Sequence, residues 1–178
     1  KRIDFDDSSI ASAAAFDPFG IYMFVSLETS REIAVVDAHG AYEIFRINAG
    51  RAPQGLLVSP DGEKLFVNNF MDRTVGIYDL GDLKETGLWN APLLANVSTV
   101  AVEVLSPQVL VGKQLFYDAF DTRLALDRYL SCASCHNDGG QDGRVWDLTG
   151  MGEGLRNTIN LQGTGADPER LNVNGGAI

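Results

Sequence analysis

Cysteine and histidine are scarce in this 178-residue chain, which has two of each. Basic side chains are in the minority, with 14 Lys and Arg against 24 Asp and Glu and a formal net charge of −10. Long apolar runs are missing, the longest being Ile21 to Val25. Each shortage excludes something. With 8 basic and 15 acidic residues before Leu105, and 6 and 9 from there on, neither part offers a phosphate-binding face, so no nucleic acid is expected. An acidic surface suits a basic partner or simply keeps the protein in solution. Nothing approaches the roughly 20 apolar residues that cross a bilayer, so the chain is not expected to span a membrane. The start, Lys1 to Asp7, turns acidic at once and lacks the apolar core of a signal peptide, as in a mature chain or a fragment. What is present is ordinary for a globular protein: 45% hydrophobic and 21% charged residues, enough to bury a core.

A repeat runs through the first half. "DPFGIYMFVSLETSREIAVVDA" begins at Asp17, and "SPDGEKLFVNNFMDRTVGIYDL" begins 42 positions later at Ser59. Pro18 and Gly20 fall on Pro60 and Gly62, Phe24-Val25 on Phe66-Val67, and Arg31 on Arg73. A period near this length with several short strands per unit marks a β-propeller blade. Pro60-Asp61-Gly62 is a turn tripeptide between "GLLVS" and "KLFVNN", and "VGIYDL" reads as a further strand. Tyr42 to Ile47 would be the outer strand of the first blade, and Thr99 to Val104 a strand in the connector after the second. Asp37 and Asp79 read as turn-closing residues; Met23, Met71, Phe24 and Phe66 read as core. On these residues, and on SPDG-x-x-LFVNN-x-x-x-x-TV-x-IYDL above all, residues 10–90 resemble the YVTN family of propeller repeats. About two blades are present, whereas a closed ring needs about 4–8. The remaining blades are expected from sequence beyond this chain or from other chains.

From Leu105 the period changes. Ser106-Pro107 is a helix start, and Val109, Leu110, Lys113, Phe116 and Phe120 carry a face at helical spacing. "LALDRYL" reads as a short helical piece or a loop. Beyond Asn137 the chain is loop-rich and repeatedly interrupted by glycine, and such a segment orders only around something it packs against. The fold class expected is therefore mixed. Residues 1–90 are expected to form antiparallel all-β propeller blades, 91–104 a connector, and 105–178 a mainly α, loop-rich domain expected to continue past the C-terminus.

Both cysteines and one of the two histidines fall within Cys132-Ala133-Ser134-Cys135-His136. This is the attachment sequence of a c-type haem. Residues three apart share a helix face, so both sulfurs can reach the vinyl groups of one porphyrin, and the next residue, His136, supplies the proximal iron ligand. Ser131 is a candidate cap for that turn. A structural zinc site would need more N and S ligands than the two Cys and two His can gather, since His39 sits in a distant blade turn. A disulfide oxidoreductase would want a βαβ setting, and a plain disulfide leaves His136 unexplained. One covalent haem c is the cofactor expected. Its attachment to reduced thiols outside the bacterial cytoplasm places the protein in the periplasm or outside the cell. With both cysteines used, core and cofactor supply the stability.

The sixth iron position decides the chemistry. Met151 lies 15 residues after His136, and its thioether would favour electron transfer. It could equally pack. Arg156 is a candidate for a haem propionate, or a surface arginine. Trp146 and Tyr117 are candidates to pack on the porphyrin, or ordinary core. Asp138, Asp142 and Asp147 hint at calcium, but their spacing does not fit the known loop, and turn chemistry is favoured.

Residues 112–163, with G-x-x-LF-x-D, the SCASCH block and the RNT triplet at 156–158, resemble the N-terminal haem domain of the bacterial di-haem cytochrome c peroxidase family, which includes MauG-type enzymes. The whole chain is similar to exported bacterial proteins that join YVTN repeats to such a domain. The resemblance implies haem attachment by Cys132 and Cys135, ligation by His136, and an oxidoreductase of peroxidase type if the protein is an enzyme. Those peroxidases use two haems and this chain has one CxxCH, so a second haem would come from other sequence. The function expected is a haem c electron-transfer module, peroxidase-like in ancestry, with a redox partner protein, a basic one suiting the acidic surface. The alternatives are a half-domain of a di-haem peroxidase acting on hydrogen peroxide, or a propeller scaffold whose haem is structural or sensory.

Overall fold

The computed structural model describes residues 2–162; the glycine-rich tail expected from 163 onward lies outside the described residues. The 42-residue repeat becomes two four-stranded antiparallel meanders. The first holds β1 (Ala11–Phe16), β2 (Tyr22–Leu27), β3 (Glu32–Asp37) and β4 (Tyr42–Asn48), in that order. The second holds β5 (Pro53–Val58), β6 (Lys64–Asn69), β7 (Thr74–Asp79) and β8 (Leu93–Ser98). Each has the strand number and pairing of a propeller blade. The repeated turns close alike. Gly20 and Gly62 take φ of 70° and 74°, a conformation that costs glycine little, and their N–H groups donate to the Asp17 and Ser59 carbonyls. Asp37 Oδ1 accepts from the His39 and Gly40 amides, and Asp79 Oδ1 from the Gly81 amide, the turn-closing role expected of both.

No strand forms at Thr99 to Val104; the connector's strand lies earlier, at β8, and is the outer strand of the second blade. A short helix, α1 (Gly81–Thr86), ends at Gly87 in the left-handed region with φ 69° and sends the chain straight back. The returning residues pair with β7 from Leu93↔Tyr78 to Ser98↔Thr74, and Thr99 N–H closes the ladder on the Arg73 carbonyl. The alternation Val100, Val102, Val104 that suggested a strand is left exposed.

The core lies between the two sheets. Phe24, Ile33, Val35 and Ile47 of the first pack with Val58, Leu65, Val67 and Tyr78 of the second. The other face of the first sheet, Val25, Leu27, Ala34 and Val36, is covered by Ile3, Phe5 and Met23. Burial of each such side chain stabilises by about 1.5–3 kcal/mol before entropy is counted.

The segment after the blades has little apolar interior of its own. Its helix α2 (Pro107–Tyr117) starts where Ser106-Pro107 predicts, with Ser106 Oγ accepting from the Val109 amide. Among the described residues beyond Leu105, the buried apolar ones are Tyr117, Ala119, Ala125 and Ala133. Tyr117 and Ala133 share a cluster with Ala52 and Met71 of the blade region. "LALDRYL" forms turns, not a helix.

Two ion pairs fasten this segment. Arg31 and Arg73, equivalent in the repeat, both sit in the left-handed region with φ of 59° and 55°. Arg31 grips Asp118 with Nε and Nη2, its Nε at 2.8 Å from Oδ1. Arg73 Nε donates to Glu103 at 3.0 Å. The Arg31 guanidinium also lies 5.1 Å from the centre of the Phe120 ring, within cation–π range.

Arg31→Ala is expected to cost about 2–3 kcal/mol in chemical denaturation, because it leaves the buried Asp118 carboxylate with, among the described residues, the Phe120 amide as its remaining partner. A loss under about 0.5 kcal/mol, the level of a surface pair, would contradict this. Glu28, 4% exposed, accepts from Gln54 Nε2 at 2.9 Å. Burial pushes its carboxyl above the usual glutamate value against hydrogen bonds from Gln54 and Ser12, and the Asp138 charge adds to the rise. A carboxyl raised in the folded state stabilises at low pH, and that stability is lost as pH rises through the raised value. Glu28→Gln is therefore expected to melt higher than the parent at pH 7, the gap closing toward about pH 4. A gap that widens on acidification would refute the assignment.

Candidate haem-attachment site

Cys132 to Cys135 form a single helical turn, α3, and His136 follows it at the cap, its N–H donating to the Cys132 carbonyl at 2.9 Å. Ser131 is the N-cap residue of the turn, as expected: its amide donates to Ser134 Oγ at 2.9 Å and its carbonyl accepts from the Ser134 amide at 3.0 Å, although its buried hydroxyl has no hydrogen-bond partner among the described residues. Both cysteines are free, Cys132 exposed and Cys135 half-buried. Burial first, then the Asp142 charge, holds the Cys135 thiol above its usual value.

His136 is oriented by backbone. Its Nδ1 lies 2.8 Å from the Ile159 carbonyl oxygen and 3.3 Å from that of Gly140. A carbonyl only accepts, so Nδ1 carries a ring proton, and Nε2 is the nitrogen left to ligate a metal. A metal-ligating histidine is held by such a bond, which fixes both tautomer and ring direction.

Residues 159–162 are sewn to the turn beyond His136. The Leu161 amide donates to the Gly139 carbonyl at 2.7 Å, and Gln162 Nε2 to the Asp138 carbonyl at 3.1 Å. They are delivered by a hairpin of β9 (Val145–Asp147) and β10 (Leu155–Asn157). That hairpin carries three of the four further candidates, Trp146, Met151 and Arg156. Trp146 and Arg156 are cross-strand partners. Trp146 Nε1 donates to Asp142 Oδ2 and Thr158 Oγ1, and Arg156 Nη2 to Glu153 Oε2 at 3.1 Å. Met151 sits on the 3-10 turn between the strands, 77% exposed.

Tyr117 is core, as one of its two readings had it. Its hydroxyl donates to Asp138 Oδ1 at 2.8 Å, and burial followed by the Asp138 charge pushes it well above the usual tyrosine value. Asp142 and Asp147 close turns on the Arg144 and Thr149 amides. No cluster of three or more His, Cys, Asp or Glu suited to a metal occurs among the described residues. His39 is exposed in the β3–β4 turn.

The residues fit a covalent haem on three counts. Two thiols lie on one turn, the adjacent imidazole is held in the ligating tautomer, and the surrounding segment lacks a core that an apolar macrocycle would supply. Sequence reasoning missed the support: Thr29, Ser9, Ser134 and the Ile159 carbonyl. A backbone acceptor leaves no mark in composition, and hydroxyls far apart in sequence have no spacing to read. No helix among the described residues is long and apolar enough to cross a membrane.

No curated protein matches the chain. Among solved structures it is similar to Kuenenia stuttgartiensis hydrazine synthase at 18% identity and a TM-score of 0.45, over 55% of this chain and 25% of that one. It is also similar to the β-propeller domain of Cps50 (Swd1) from Myceliophteria thermophila at 18% identity and a TM-score of 0.46, over 51% and 29%. Likenesses this weak carry no functional argument, and the chain spans less than a third of either structure's length. The family model described as di-haem cytochrome c peroxidase matches residues 106–176, the stretch that holds α2, Cys132, Cys135 and His136.

Proposed function

We propose that the chain is a redox module of an exported bacterial protein, carrying one haem c on Cys132 and Cys135 with His136 as proximal ligand. The observation that carries this reading is the 2.8 Å contact of His136 Nδ1 with the Ile159 carbonyl, one residue past a turn bearing two free thiols. Bound haem supplies one-electron chemistry at iron. The chain's own residues do the rest. The Ile159 carbonyl fixes the ring's tautomer and direction, Cys132 and Cys135 fix the group's position, and the hairpin brings Trp146, Arg156 and Met151 to the same segment. In this reading Met151 is the candidate sixth ligand and Arg156 the candidate propionate partner. The blades, as YVTN-type repeats, orient the haem segment. The redox partner is a protein with a basic contact face, suited to a net charge of −10, and the compartment is periplasmic or extracellular.

A second reading, a half-domain of a di-haem enzyme acting on hydrogen peroxide, is favoured by the family match over 106–176. The ferric spectrum separates the two. Electron transfer through Met151 gives a low-spin spectrum with a thioether–iron charge-transfer band and a reversible couple. A high-spin spectrum that changes on adding peroxide supports the enzyme. Should the haem neither reduce nor bind small ligands, a scaffold role is supported instead.

His136→Ala is expected to leave haem poorly incorporated or mis-ligated in the visible spectrum, whereas His39→Ala leaves the spectrum unchanged. A spectral change on altering His39 alone would overturn the ligand assignment. Met151→Ala is expected to abolish the charge-transfer band and lower the midpoint potential. An unaltered band would remove Met151 from the iron.

A further inference from the structure

Thr29, fully buried just after β2, faces the haem segment with both its backbone and its side chain. Its carbonyl accepts from the Ala119 amide at 3.0 Å. Its hydroxyl lies 2.6 Å from Ser9 Oγ, 3.1 Å from the Ser9 carbonyl and 3.2 Å from the Tyr129 carbonyl. Ser9 Oγ lies 2.7 Å from Ser134 Oγ, which accepts from the Ser131 amide.

Each hydroxyl has one proton, and carbonyls only accept. One arrangement gives every proton an acceptor: Ser131 N–H to Ser134, Ser134 to Ser9, Ser9 to Thr29, and Thr29 to a carbonyl. The run of bonds leaves the CxxC turn, passes through the N-terminal segment and the first blade, and returns to Tyr129. It ties the turn and the segment just before it to one buried side chain. The second blade presents the equivalent repeat position, Met71, to the same segment, but by apolar contact with Tyr117 and Ala133 and through its carbonyl, which accepts from Gln114 Nε2 at 3.0 Å. Only the Thr29 position offers a side-chain polar link.

The geometry points to Thr29 as a positioning residue for the haem: through Ser9 and Ser134 it holds the turn from which Cys132, Cys135 and His136 project in one fixed relation to the blades. This rests on the haem reading. It gives the first blade a specific task, as the base against which the attachment turn is set. Met71 fills space beside the turn; Thr29 sets its direction.

The test uses the full chain matured with haem, comparing Thr29→Val, which keeps shape and loses the hydroxyl, with Thr29→Ser, which keeps the hydroxyl. In Thr29→Val, amide hydrogen exchange at Ser131 and Ser134 is expected to rise about tenfold, the scale of one lost buried hydrogen bond. The haem midpoint potential is expected to shift and the ferric paramagnetic resonance lines to broaden. Thr29→Ser is expected to restore all three. A purely structural role would lower melting temperature without moving the potential, and would overturn the assignment, as would unchanged exchange at Ser131 and Ser134. If Thr29→Val does not fold, Ser9→Ala removes the middle hydroxyl and is judged by the same readings. A parent protein that carries no haem overturns the haem reading and this assignment with it, whereas unchanged exchange with haem bound overturns the assignment alone.

Discussion

The stretch bearing Cys132, Cys135 and His136 leans on the blades because it has almost no apolar interior to lean on instead. Three small alanines and Tyr117 are what it buries beyond Leu105 among the described residues, far short of what holds a domain together unaided. Its shape comes from outside: from the Met71 and Ala52 surface, from Arg31 and Arg73, and from the hydroxyls that run to Thr29. A prosthetic group gripped by thioethers would complete the same deficit from the other side. Cofactor and blades then share the work that a hydrophobic core does elsewhere.

The repeat shapes how that docking is built. Position for position, both blades end their second strand in a tight connection bearing a left-handed arginine, and both arginines find a carboxylate downstream, Asp118 or Glu103. A guanidinium presents a fixed fork of donors, so such pairs give register as well as attraction. The two blades therefore meet the C-terminal segment through matching chemistry at two points, while the residues just before the arginines, Thr29 and Met71, differ and give each contact its character.

Much of this was legible in the sequence. The 42-residue offset gave both meanders, Pro-Asp-Gly and its counterpart gave the turns, and Ser106-Pro107 gave the start of α2. The CASCH block points to haem attachment because its residue types and spacing admit few other chemistries. Less legible was whatever depends on contacts distant in sequence. Val100, Val102 and Val104 alternate as a strand does, yet α1 and Gly87 return the chain early enough for Leu93–Ser98 to take the pairing edge. The Ile159 carbonyl that aims His136 is a backbone atom, invisible to any motif. Thr29 aligns with a methionine in the second blade, so repeat logic would have passed over it as one more core position.

The most direct test of the central claim is the mass of the intact chain, purified from a host that attaches c-type haem and measured after acid extraction that removes non-covalent haem. The account predicts one haem mass above the polypeptide, lost when Cys132 and Cys135 are both replaced by alanine. A parent chain at the bare polypeptide mass would contradict it.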